Sequence, residues 1–307
     1  MKRRDFITKS IGAGIVAGTG FSLLSLEEAF GNSFSNPHAP YDLVAVMGGE
    51  PEVMFEKGIA ALGGMKNFVK AGQTVVVKPN IGWDRTPELG ANTNPKLVGR
   101  IVKECLAAGA KDVFVFDNTC DNWQKAYATS GIEKAAKDAG AKVVTGNSKG
   151  NYKGVKVPGG KSLKEAEVHE KILECDVFIN VPVLKHHDGA HVSFAMKNLM
   201  GIVWDRGFWH RNDLQQCIAD MVSYRKPDLN IIDGYRVMKR NGPKGVSASD
   251  VSLEKSQIIS TDIVAADAAA AKIFGREPET VGHIKIASEM GFGVMDISKL
   301  NINRIRV

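Results

Sequence analysis

The sequence predicts an α/β fold: a mostly parallel, Rossmann-like layered sheet with helices on both faces. Three observations predict it. Runs such as "TVVVKPN", "DVFVFDN" and "CDVFINVPV" are apolar without alternation, as expected of strands covered on both sides. Between the runs lie stretches such as "NPKLVGRIVKECLAAGA", where apolar residues recur every three or four positions, as on one face of a helix. Polar residues gather where the apolar runs stop, and open parallel sheets bind ligands at those carboxyl ends.

Taken in order, "YDLVAVMGG" reads as a first strand and "PEVMFEKGIAALGGMKNFV" as a helix. The strand "GQTVVVKPN" follows. Asn94 is placed to cap the next helix, with Pro95 in its first turn. A strand runs to Asp117, then come the helix "GIEKAAKDAGA" and the strand "KVVTG". "KSLKEAEVHEKILE" is expected to be helical. "CDVFINVPV" is the next strand, and a helix is expected from near His191, because Val192, Ala195, Met196, Leu199 and Val203 form an apolar stripe. The helix "DLQQCIADMVSYR", the strands "PDLNIIDGY" and "KSQIISTD", the alanine-rich helix "IVAADAAAAKIFG", a short helix near residues 283–290 and the strand "NINRIRV" complete the chain. The pattern is continuous over 42–307 and predicts a single α/β domain there.

The first 31 residues read as an address. Arg3 and Arg4, followed by Phe6, Ile7 and Lys9, resemble a twin-arginine export signal. The apolar stretch after them is short and diluted by glycine, too weak for a stable membrane span. Residues 32–41 read as a polar linker. The expectation is export by the twin-arginine translocase to the periplasm or another extracytoplasmic space, with no stable membrane span in the mature chain. The export route for folded proteins also favours a bound cofactor.

The 40 basic and 34 acidic residues give a net charge of +6 without any Lys/Arg block. This favours a small anionic ligand over nucleic acid. The four cysteines, Cys105, Cys120, Cys175 and Cys217, lack metal-site or ferredoxin spacing. Cys120 stands apart from the others because it directly follows a strand. There is no H-E-x-x-H, G-x-S-x-G, P-loop or G-x-G-x-x-G after a strand, so metalloprotease, serine-hydrolase and nucleotide-binding readings lack support.

Candidate functional residues sit at the strand ends. Lys78 and Asn80 close "VKPN"; Lys78 reads as an anion partner or as a plain strand-tip lysine. Asn94 reads as a helix cap whose neighbouring N–H groups would also suit an anion. Asp117 reads as a metal ligand, a general base or a turn carboxylate. Asp233 repeats that arrangement, and Asn241 and Gly242 open a turn-rich loop whose amides could approach a ligand. "LKHHDGAHVSFAMKNLMG" brings Lys185, His186, His187, His191, Lys197 and Asn198 into one stretch. Its histidines read as acid/base or anion-binding groups, as ligands of a divalent metal, or as a solvated loop.

In this order, "VKPN", "NTNPK", the strand ending in Asp117, "VPVLKHH" with "AMKNLMG", "IIDG" with "NGPKG", and "STDIVAADAAAAKIFG" resemble the prokaryotic domain of unknown function 362, over roughly Asp42 to Gly275. The resemblance implies an α/β domain without a settled general reaction. Some members carry ferredoxin-type iron–sulfur modules. This chain lacks their clustered cysteines, so a cluster held by this chain alone is not expected, and a redox partner stays open.

Together these readings predict an exported enzyme acting on a small carboxylate- or phosphate-bearing substrate. Lys78, Lys185 and Lys197 would supply positive charge, His187 would be the acid/base, and Asp117 or Asp233 would orient it or hold a metal. The alternative is a non-catalytic accessory or ligand-binding protein of an exported redox system.

Overall fold

A computed structural model describes residues 40–307. The expected export signal, and the linker up to residue 39, lie outside the described residues. In chain order the elements are β1 (Leu43–Met47), α1 (Pro51–Ala61), β2 (Thr74–Pro79), α2 (Pro95–Ala107), β3 (Asp112–Val115), α3 (Trp123–Thr129), α4 (Ile132–Asp138) and β4 (Lys142–Val143). Next come β5 (Tyr152–Lys156), β6 (Glu165–His169), α5 (Glu170–Glu174), β7 (Val177–Val181), β8 (Val183–His187), β9 (His191–Ser193) and α6 (Ala195–Asn198). The chain closes with α7 (Arg206–Arg211), α8 (Leu214–Tyr224), β10 (Leu229–Met238), β11 (Val251–Ser260), α9 (Ile263–Phe274), α10 (Gly282–Glu289) and β12 (Ile302–Arg306).

The main sheet runs β12-β1-β11-β10-β7-β2-β3-β4, with β8 beside β10 and β9 beside β8. The pairings are parallel except where β11 meets β1 and β10, and within the β8–β9 hairpin. The predicted α/β sheet, mostly parallel and mixed at one side, is therefore what the chain forms. Alternate residues of each strand enter different cores. Val75, Val77, Ile179, Ile231 and Ile259 pack on one face with α1, α2 and α4. Val76, Phe178, Ile232 and Ile258 pack on the other with α6, α8, α9 and α10. Helices on both faces explain why the strands read as unbroken apolar runs.

A polar row crosses the second face. Lys78, Asn180, Asn230 and Ser260 stand side by side in register on β2, β7, β10 and β11. Asn180 Nδ2 donates to Asn230 Oδ1 at 3.0 Å, and Asn230 Nδ2 to the Ser260 carbonyl at 3.4 Å. Ser260 Oγ donates to the Asp42 carbonyl at 2.7 Å. Buried amides tolerate such a position only when paired.

Two local expectations are corrected. "KSLKEAEVHEKILE" is not one helix: Glu165–His169 is a strand paired antiparallel with β5, and only Glu170–Glu174 is helical. The period-two pattern of "EAEVH" decides this, and the His169 imidazole caps the helix by accepting from the Lys171 amide at 3.1 Å. The expected helix start at His191 is a strand instead, pairing His191 with His187 across a hairpin. Gly189 and the left-handed backbone of His191 (φ 66°) make that turn, and the helix starts only at Ala195.

Candidate functional site

Sheet order changes direction beside β2: β3 and β4 follow it on one side, and β7 and β10 return on the other. The loops leaving β2 and β7 therefore part, and the gap between them is where open α/β sheets take ligands. Here a cavity of about 430 Å³ opens, lined by residues including Lys78, Asn80, Asp117, Lys185, His187, Lys197 and Asn198. Arg206, His210 and Cys120 also line it.

The back wall is a closed polar cluster. Lys78 Nζ lies 2.9 Å from Asp117 Oδ1 and donates to the Asn198 carbonyl and side-chain oxygens, both at 2.7 Å. Three acceptors fill the three donors of an ammonium. Burial pulls the Lys78 ammonium below the usual lysine range, and Asp117 opposes that pull. Asp117 Oδ2 accepts from the Ile81 amide at 2.6 Å, so both its oxygens are engaged. Asn198 completes the cluster, donating to Asn180 Oδ1 at 2.9 Å. Gly201 is pressed against it: a Cβ there would fall 1.9 Å from Asp117 Oδ1 and 2.4 Å from Lys78 Nζ.

The front of the cavity is cationic and less satisfied. Lys185, 1% exposed, donates to Asn80 Oδ1 at 3.1 Å and to the Ala91 carbonyl. Burial, with Lys197 and Lys78 repelling it, lowers this amine to about 7. Lys197 is 9% exposed, and its ammonium makes no hydrogen bond or ion pair among the described residues. Burial, with Arg206 and Lys78 nearby, lowers it to about 8. Arg206 is fixed by its contacts to the Asn118 and Thr119 carbonyls at 2.7 and 2.6 Å. None of Lys185, Lys197 and Arg206 faces a carboxylate at ion-pair distance among the described residues, and Asp117 is already matched by Lys78.

His187 accepts the Ala190 amide on Nδ1 at 3.2 Å, which leaves the proton of the neutral ring on Nε2. Burial, reinforced by Lys197 and Lys185, holds its pKa far below the usual imidazole range. The ring is therefore a neutral N–H donor. It stacks on His210, with centroids 6.1 Å apart and planes 12° apart.

Residues 75–272 match the family described as Domain of unknown function (DUF362). The chain belongs to that family. The DUF362 chain is 26% identical over 238 residues to the thylakoid-associated protein sll1697 of Synechocystis sp., covering 75% of this chain and 72% of that protein. It also resembles two solved structures. One is the lactate racemase apoprotein from Thermoanaerobacterium thermosaccharolyticum (TM-score 0.45, 13% identity, 78% of this chain and 58% of that chain). The other is a protein from Thermotoga maritima (TM-score 0.46, 11% identity, 78% and 60%). The chain spans less than two thirds of either.

Within this DUF362 fold, Lys78, Asn80, Asp117, Lys185, His187, Lys197 and Asn198 come together as expected from their strand ends. Other expected residues do not reach the cavity. Asn94 caps α2 by accepting from the Lys96 amide at 3.0 Å, and its own amide donates to Asp233 Oδ2 at 2.7 Å. Asp233 is thereby a buried brace between the loop before α2 and β10. Neither it nor Asp117 touches His187, so neither orients that ring. Asn241 donates to Asp250 Oδ1 at 2.7 Å, and the Gly242 amide donates to His186 Nδ1 at 3.2 Å, behind the hairpin.

His186, His187 and His191 do not form one group: His186 points to the opposite face from its neighbour His187, and His191, although the cross-strand partner of His187, is exposed. Among the described residues no group of three or more His, Cys, Asp or Glu side chains is arranged to hold a metal ion. Cys105 and Cys217 are buried in the two separate cores, away from the exposed Cys120.

Sequence reasoning missed Arg206, His210 and Asp267. Asp267, fully buried on α9, accepts the Ala195 and Met196 amides at 2.6 and 3.0 Å. It thus caps α6, the four-residue helix that carries Lys197 and Asn198. One carboxylate inside "IVAADAAAA" was the available signal, since a charge on an all-apolar helix needs a partner.

Proposed function

We propose that this chain is an enzyme acting on a small anionic substrate bearing a carboxylate or phosphate, held in the cavity at the ends of β2 and β7. The observation that carries the reading is Lys197. The residue is nine-tenths buried and lines the cavity, and its ammonium has no partner among the described residues. Burying an unpaired charge is costly, and a site that keeps one is matched to an incoming opposite charge.

Lys197 and Arg206 would bind the anion and His187 would donate its Nε2–H to it. Lys185 is the better base than His187. With both hydrogens of a neutral amine donated to Asn80 and Ala91, its lone pair remains for a substrate proton, and its value near 7 suits that task. The volume, about 430 Å³, suits a ligand of metabolite size. Asp117 is engaged on both oxygens, and this favours a second reading in which the site binds an anion without turning it over. The proposed setting is extracytoplasmic, after twin-arginine export. Arg3→Lys with Arg4→Lys, followed by cell fractionation, tests it: retention of the variant in the cytoplasm is expected, and unchanged export would sink the idea.

The test of function is calorimetry of the purified chain with sulfate, phosphate monoesters and 2-hydroxycarboxylates, then turnover assays on whatever binds. Binding weakened by about tenfold or more in Lys197→Gln is expected. No binding by the natural chain, or equal binding by Lys197→Gln, overturns the reading. Binding without turnover moves it to the second.

A further inference from the structure

Cys120 is the one cysteine the structure exposes, and it lines the anion cavity. Its position is built. The Cys120 amide donates to the Gly82 carbonyl at 2.9 Å, fixing the backbone. Arg206 Nη1 lies 3.3 Å from the sulfur, and the same guanidinium is tied to the two preceding carbonyls, so it cannot swing away freely. A negative charge on the sulfur would support the Lys185 and Lys197 ammoniums against their desolvation. Independently, the unpartnered Lys197 ammonium points to an anion in the same cavity.

We propose that Cys120 is a modification site for small anionic disulfides, captured by the cation cluster and attacked by the Cys120 sulfur. This rests on the anion-site reading above. The thiol loses its proton to solvent and the thiolate attacks one sulfur of the disulfide. The S–S bond of the reagent breaks, and the leaving half departs as a thiolate with the electron pair. The retained half carries its carboxylate beside Lys185, Lys197 and Arg206 and fills the cavity. Modification and anion binding are then mutually exclusive, which makes the site responsive to thiol–disulfide balance.

The test uses the full chain and two disulfides, the carboxylate-bearing 5,5′-dithiobis(2-nitrobenzoate) and the neutral 2,2′-dithiodipyridine. Release of the coloured thiolate gives the rate, and mass spectrometry gives the labelled residue. Relative to the same pair of reagents on a small neutral thiol, the anionic reagent is expected to be favoured by about tenfold or more, as attraction by clustered charge typically provides. Excess sulfate should slow labelling, and Cys120→Ser should abolish the fast phase. An unchanged reagent preference, insensitivity to sulfate, or labelling at Cys175 instead overturns the proposal. Sulfate calorimetry on Cys120→Ser separates the two ideas: if sulfate binds while the preference is flat, the modification site fails and the anion site stands, and if sulfate does not bind, both fail.

Discussion

Lys78 and Asp117 face each other at 2.9 Å from the ends of neighbouring parallel strands, and Gly201 leaves room for nothing larger than hydrogen beside them. The pair is a fixed wall, so the charge available to a ligand comes from Lys185, Lys197 and Arg206. Breaking one half of a buried pair costs about 3–5 kcal/mol, because the remaining charge is stranded. Asp117→Asn and Lys78→Met should each lower the unfolding free energy by that order, and the double variant should lose less than the sum. Additive losses in urea unfolding would show that the two groups do not interact. Gly201→Ala should resemble the single variants, since the added methyl overlaps both side chains.

Lys197 is expected to dominate anion affinity. A hydrogen bond to a charged group is worth about 1.5–3 kcal/mol, so Lys197→Gln should weaken sulfate binding by roughly tenfold to a hundredfold. Sulfate keeps its charge across the range, so pH acts through the protein. Protonation of amines poised near 8 and 7 should strengthen binding as pH falls from about 9 to about 6. Affinity that rises with pH instead would contradict the assignment.

Lys185 makes a separate prediction about stability. Its folded value, about 7, lies below the ordinary 10.5, so the folded chain binds fewer protons than the unfolded chain between those limits. Its contribution is present above the ordinary value and is lost as pH falls toward 7. The melting temperature of Lys185→Met should therefore gain on that of the natural chain between about pH 10 and about pH 7. Parallel melting curves across that range would rule the shift out.

The His187 ring is expected to stay neutral, with its proton on Nε2, through the physiological range. Nitrogen-15 spectra of the imidazole should show that tautomer from about pH 5 to about pH 9, bracketing the ordinary titration near 6.5. A midpoint near the ordinary value would return the ring to the role of acid/base.

Asp267 acts on the site through α6. Asp267→Asn keeps the shape but offers one acceptor oxygen in place of two. Leaving a buried amide unpaired costs about 1–3 kcal/mol. The variant should melt earlier and bind sulfate more weakly, while Asp267→Glu is not expected to rescue it in so tightly packed a helix. Unaltered sulfate affinity in a folded Asp267→Asn chain would mean that α6 needs no such cap.

The strands and the lysines at their ends were legible because both-face burial writes continuous apolar runs, and a polar residue closing such a run has few other uses. The region from Lys185 to Asn198 was half legible. Its residues were found, but its shape was not, since an apolar stripe at helical spacing also fits a hairpin followed by a single helical turn. Arg206 and Asp267 were hidden because their partners, the Asn118 and Thr119 carbonyls and the Ala195 amide, are distant in sequence and leave no local pattern. "EAEVH" misled because charged residues on the exposed part of a two-stranded ribbon resemble the polar face of a helix.

The amides and hydroxyl that accompany Lys78 across the sheet also act as an alignment key. A slip of β7 or β10 by one residue would turn Asn180 or Asn230 toward the opposite aliphatic face and leave its amide unpaired. Misaligned sheets are thus penalised at the row to which Asn198, the neighbour of Lys197 on α6, is hydrogen-bonded through Asn180. The proposed anion site would be complete only once the central strands have found their single permitted alignment, so capture of an anion would report that the sheet has assembled correctly.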